Sequence, residues 1–180
     1  MRKRRSAVWL AFASALLALA PGSALATAPN NESASYEWHL EVPNVAMAPN
    51  GDTVAITGTG TFSVHPKSAA GGGSFTHTLA GGGTFTGSYT VTGLVDFQPY
   101  GCGVVFGDPL PPDLCGGRLV FRVALVPDAH PTLSRGGLLT IYCLIGAPPP
   151  SAEEGIRLVV PGVLNFNDVV TGENVYIKQP

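Results

Sequence analysis

Tyr36-Glu37-Trp38-His39-Leu40-Glu41-Val42 alternates apolar and polar side chains without a break. A period of two places Tyr36, Trp38, Leu40 and Val42 on one face of an extended chain and Glu37, His39 and Glu41 on the other. That is a half-buried β-strand, because the apolar positions of a helix recur at three and four instead. The same period continues outward. Pro49-Asn50-Gly51-Asp52 reads as a tight turn, since Asn and Gly both accept positive φ. Beyond it Val54, Ile56, Phe62 and Val64 share one parity, with Gly58 and Gly60 expected as bulge or bend positions.

Gly71-Gly72-Gly73-Ser74-Phe75-Thr76 and Gly81-Gly82-Gly83-Thr84-Phe85-Thr86 echo one another ten residues apart, as two strands each fed by a glycine turn. Neither glycine run precedes a helical pattern or a P-loop lysine, so a phosphate cradle has no support. From Phe85 to Phe97 the odd positions are apolar or Gly, apart from the bend expected at Gly93, and Thr or Ser fills most even ones. Residues 119–126 and 138–145 are apolar on both parities, which predicts strands covered on both faces. Pro161-Gly162 splits two short apolar pairs as a bulge or an edge, and residues 169–177 read as a terminal hairpin. Helix is confined to one capped turn at Ser151-Ala152-Glu153-Glu154. With 23 Gly and 16 Pro punctuating the chain, these signals predict a single all-β antiparallel domain of seven to nine strands. Sandwich and small barrel both fit, because pairing order is not local information.

The first 26 residues read differently. Arg2, Lys3, Arg4 and Arg5 precede an apolar run at residues 7–20, and Pro21-Gly22-Ser23 leads into Ala24-Leu25-Ala26. Charge, apolar run and small-x-small site make a secretory signal peptide, cleaved after Ala26 or alternatively Ala28. The apolar run is too short for the roughly 20 residues of a membrane-spanning helix. Residues 27–180 are then the secreted domain, with no membrane span of its own. Asn31-Glu32-Ser33 is a glycosylation sequon wherever the host modifies such sites. Four of the ten Lys and Arg lie in the leader, so six remain against twelve Asp and Glu, a formal charge of −6. The six are scattered. Nucleic acid and anionic membranes are therefore poor partners, and an extracellular ligand or protein is the expected one.

Export also places the three cysteines where disulfides persist. Cys102 and Cys115 bracket a Pro-rich loop and are expected to pair, leaving Cys143 as a small buried hydrophobe within its apolar run.

Chemistry-bearing residues are few. Glu37, His39 and Glu41 lie about 6 to 7 Å apart on one strand face, a spacing that could hold a divalent metal if a neighbouring strand supplied ligands. His77 shares parity with Phe75 and Leu79, so it is expected to point inward. Tyr89 and Arg122 are expected to join it around an interior pocket. Thr57, Thr59, Thr61 and Ser63 share one parity, as do Thr84, Thr86, Ser88, Thr90 and Thr92 on a later strand. If those strands pair, Thr59, Thr86 and Thr90 belong to a flat hydroxyl face suited to sugars, a partner protein or ice. No nucleophile elbow, zinc-protease helix or calcium loop is present, and no cofactor is indicated.

The pattern thus points to a secreted, non-enzymatic domain that binds or adheres. The alternative is a small barrel, carrier or enzyme, with a pocket near His77. A closed barrel whose His77 cavity exceeds about 300 Å³ would favour the alternative, and a filled core the binding module.

Overall fold

The computed structural model describes residues 34–180. The leader and the Asn31 sequon lie outside the described residues. Twelve strands follow in order: β1 (Ser35–Met47), β2 (Thr53–Ser63), β3 (Ser68–Thr78), β4 (Thr84–Cys102), β5 (Val104–Val105), β6 (Asp108–Pro109), β7 (Leu114–Pro127), β8 (Arg135–Cys143), β9 (Gly155–Val160), β10 (Leu164–Phe166), β11 (Asp168–Thr171) and β12 (Asn174–Lys178). The excess over nine comes from short pieces such as β5 and β6, which pair only with each other.

The large sheet is antiparallel and returns to its start. Strands β1 to β4 pair in sequence, β4 pairs β7, β7 meets β12 through Leu114 and Cys115, and β12 pairs β1. Beyond β12 the same edge of β7 pairs with β8, which is followed in turn by β9 and β10. Closure explains why residues 119–126 are not covered on both faces as expected. Leu119, Phe121, Val123 and Leu125 point into the core, whereas Arg122 is exposed and Val120, Ala124 and Val126 are half-buried. Leu138 is likewise exposed.

Aromatic side chains fill the ring near the start of β1. Tyr36 stacks on Phe62 at 4.9 Å, Phe62 meets Phe97 edge-on at 4.8 Å, and Tyr176 meets both rings edge-on. Trp38, wholly buried, packs on Phe121 at 5.4 Å and donates its indole N–H to Ala70 O. Such rings bury 150–250 Å² each and gain from edge-on contact.

Gly58 and Gly60 do not form the expected bulges. The β2–β3 register runs unbroken past both, and they face inward to clear space for rings from other strands. A methyl at Gly60 would meet Trp38 Nε1 at 2.8 Å, and one at Gly58 would collide with the Tyr89 hydroxyl. The first glycine triple also lies inside β3 rather than in a turn, whereas the second closes the turn where Leu79 N donates to Gly83 O.

Bulges occur elsewhere. In β1, register shifts by two residues between Leu40 and Asn44, so Val42 and Pro43 are extruded and Val42 is exposed rather than buried. Opposite that bulge, residues 168–178 form no hairpin. Strands β11 and β12 lie end to end along β1, and Glu41 N donates to Glu173 O across the gap. In β4, register shifts after Val91, as expected near Gly93, and again after Leu94 and Pro99.

Cys102 and Cys115 form a disulfide directly across the β4–β7 ladder. Cys143 is free and buried, its Sγ donating to Asn174 O at 3.0 Å. Burial, reinforced by nearby Glu154, pushes its thiol up to about 12, so it remains an inert thiol.

Candidate functional site

Among the described residues a large concave site with an apolar floor lies beside β12, outside the aromatic interior. It has a volume of about 650 Å³, within the range of small-molecule pockets. Leu114, Ile145, Val175 and Ile177 form its floor, and Phe106 and Leu110 of the disulfide-closed segment overhang it. Among the described residues, three carboxylates, Glu41, Glu154 and Glu173, are its only ionisable side chains. Glu41 reaches this mouth because its backbone N–H still bonds Glu173 O, just before the extruded Val42-Pro43 segment.

Glu154 is held from both sides. Leu144 N donates to Oε2 at 2.6 Å and Asn174 N to Oε1 at 2.9 Å. Burial pushes the Glu154 carboxyl up to about 7 despite those two donors, and Glu173 adds like-charge repulsion. Because the folded chain protonates this group more readily than the unfolded chain, its stabilising contribution is complete below pH 4.5 and is lost as pH rises through about 7. Wild type is therefore expected to lose about 3 kcal/mol relative to Glu154→Gln across that window. Thermal denaturation of both proteins at a series of pH values checks this, and a pH-independent difference would contradict it.

The residues singled out in the sequence are distributed otherwise. His77 does point inward, with Nε2 3.0 Å from Asp52 Oδ2. Ala80 N–H and His77 together hold the Asp52 carboxyl below the usual carboxylate range. The cavity His77 lines holds only about 120 Å³, well short of a carrier pocket. Tyr89 is buried against Gly58, burial raises its phenol, and its hydroxyl has no partner among the described residues. Arg122 does not join them, because its parity in β7 faces outward.

On β1, His39 Nε2 lies 3.5 Å from Glu37 Oε2, and its Nδ1 lies 3.1 Å from Thr59 Oγ1. Glu41 does not complete the set; it lines the pocket beside β12 with Glu154 and Glu173. Among the described residues no three His, Cys, Asp or Glu side chains converge to hold a metal ion.

The hydroxyl face exists, with a correction. Strands β2 and β4 do not pair, because β3 lies between them and adds its own hydroxyls. Thr57, Ser74 and Ser88 form one cross-strand row and Thr59, Gly72 and Thr90 the next, with Thr57 Oγ1 2.8 Å from Ser74 Oγ. Thr86 donates to Asp128.

Glu154, Glu173 and Phe106 carried no signal in the periodicity. The bracketing cysteines did mark the loop, and Val105-Phe106-Gly107-Asp108 within it is a two-residue hairpin turn with an apolar tip. No family model, curated protein or solved structure matches the chain.

Proposed function

We propose that this is a secreted binding domain whose ligand is an apolar molecule ending in a cationic or hydrogen-donating group. Secretion rests on the charged and apolar leader and agrees with the Cys102–Cys115 disulfide. Among the described residues no helix is long and apolar enough to cross a membrane. The observation that carries the ligand assignment is the pocket beside β12, an apolar floor with three carboxylates and, among the described residues, no base. A positive headgroup there meets carboxylates and no cationic side chain among the described residues, and a carboxylate would meet repulsion.

Isothermal titration of the mature domain with dodecylammonium, dodecanoate and dodecyl maltoside tests this. The ammonium is expected to bind best, and more tightly as pH rises through about 7 and Glu154 ionises. Glu154→Gln should weaken it roughly tenfold by removing a charge-assisted contact. Val175→Trp should fill the floor and abolish it. Equal binding of dodecanoate would refute the assignment.

The hydroxyl face supports a second, adhesive reading. Every outward position of β2 and β3, and of β4 from Thr84 to Thr92, is Thr, Ser, Ala or Gly, on a domain that is otherwise acidic. Lysine at Thr59, Thr86 and Thr90 should abolish retention on insoluble glycan or ice. Unchanged retention would remove this reading.

A further inference from the structure

Phe106 sits at the tip of the β5–β6 hairpin with φ +49° and 81% of its surface exposed. Both residues of a two-residue turn of this kind take positive φ, which suits Asn-Gly and is unfavourable for a bulky ring. The hairpin is nevertheless held firmly. Its base is closed by Cys102–Cys115, Leu110 N donates to Gly103 O, and Gly146 N donates to Val104 O. The chain thus presents an aromatic ring to solvent on a braced support, next to Asp108.

At the opposite ends of β4 and β7 lies the cavity beside His77. Phe75, Leu125, Leu158 and Phe166 are among its walls, and its volume of about 120 Å³ is close to the roughly 150 Å³ of an engineered apolar cavity that takes up benzene. Its surroundings are open and apolar: Val163 on its wall is 62% exposed, and Phe85, 6.0 Å from the His77 ring, is 51% exposed. Arg135 also lines it, and among the described residues neither Arg135 nor Asp108 has an ion-pair partner.

We infer that copies of this domain associate head to tail, Phe106 of one copy filling the His77-side cavity of the next while its Asp108 meets the Arg135 there. Ring and cavity match in size, and acid and base match in sign. Knob and socket lie at opposite ends of the same strands, so the contact is heterologous and each association leaves a free knob and a free socket. The product is a chain of copies rather than a closed dimer. It shares Phe106 with the rim of the ligand pocket but does not use the pocket's floor.

Sedimentation velocity of the mature domain over a concentration series tests the assembly. Weight-average mass is expected to climb past the dimer as concentration increases. Phe106→Ser, at a solvent-exposed tip, should shift half-association to roughly tenfold higher concentration or more. Asp108→Arg and Arg135→Asp should each be monomeric alone and should associate when mixed, because each then offers the other a complementary end. Circular dichroism and a count of one free thiol per chain establish that each variant is folded. Monomer at every soluble concentration, a dimer that does not grow, or Phe106→Ser associating like wild type would overturn the proposal. Loss of ammonium binding in Val175→Trp with association intact separates this contact from the pocket.

Discussion

Trp38→Ala is expected to destabilise the domain by about 3–5 kcal/mol, the cost of deleting a large ring from a site that cannot collapse around the void. Trp38 is wholly buried, it packs on Phe121, and its N–H is spent on Ala70 O. The neighbouring backbone at Gly60 and Gly71 was drawn in close to accommodate it, so the glycines offer no side chain to refill the space. Against a total stability of about 5–15 kcal/mol for a domain, this single change approaches global unfolding. Urea denaturation followed by tryptophan-independent circular dichroism checks it. A midpoint within error of wild type would show that the ring is not where the closed sheet needs it.

Removal of the disulfide by Cys102→Ser with Cys115→Ser is expected to cost about 3 kcal/mol, the entropy of opening a loop of this length in the unfolded chain. A local effect should accompany the global one. With the clamp gone, the segment between β4 and β7 is held by backbone hydrogen bonds such as Gly103 N to Leu114 O, so it should become the first site of proteolytic cleavage. Limited proteolysis with mass spectrometry reads this directly. Cleavage in other loops first, with residues 103–114 intact, would show that the hairpin is self-supporting.

Strand positions were legible where the face of a strand depends only on its own alternation. Tyr36, Trp38 and Leu40, Val54, Ile56 and Phe62, and the Cys102–Cys115 pair all lie as the sequence reading placed them. Alternation fails at insertions in pairing register, because the partner strand that defines a bulge is far away in sequence. Val42 is exposed for that reason. Leu94 is buried and Phe97 returns to the core because β4 shifts register twice between Val91 and Asp96. Phe85, on the inner parity, is exposed because it lies at the end of the sheet, beyond the core packing.

The site was less legible than the fold. Glu41, Glu154 and Glu173 come from three separate parts of the chain, and the pairing of β1 with β12 brings the first to the last. His77 was placed correctly as inward, yet the volume around it is decided by Phe75, Leu125 and Phe166 from three strands. Arg122 was misplaced because a sheet closed on itself has a single interior, and a residue flanked by buried Phe121 and Val123 must face away from it.

An amide-resolved NMR titration of residues 27–180 with dodecylammonium above pH 7 tests the pocket assignment most directly. Shift changes concentrated at Leu144, Asn174 and Val175 are predicted, since the first two donate to Glu154 and the third forms the pocket floor. Changes centred instead on Thr59, Ser74 and Thr86, or around His77 and Phe166, would contradict it.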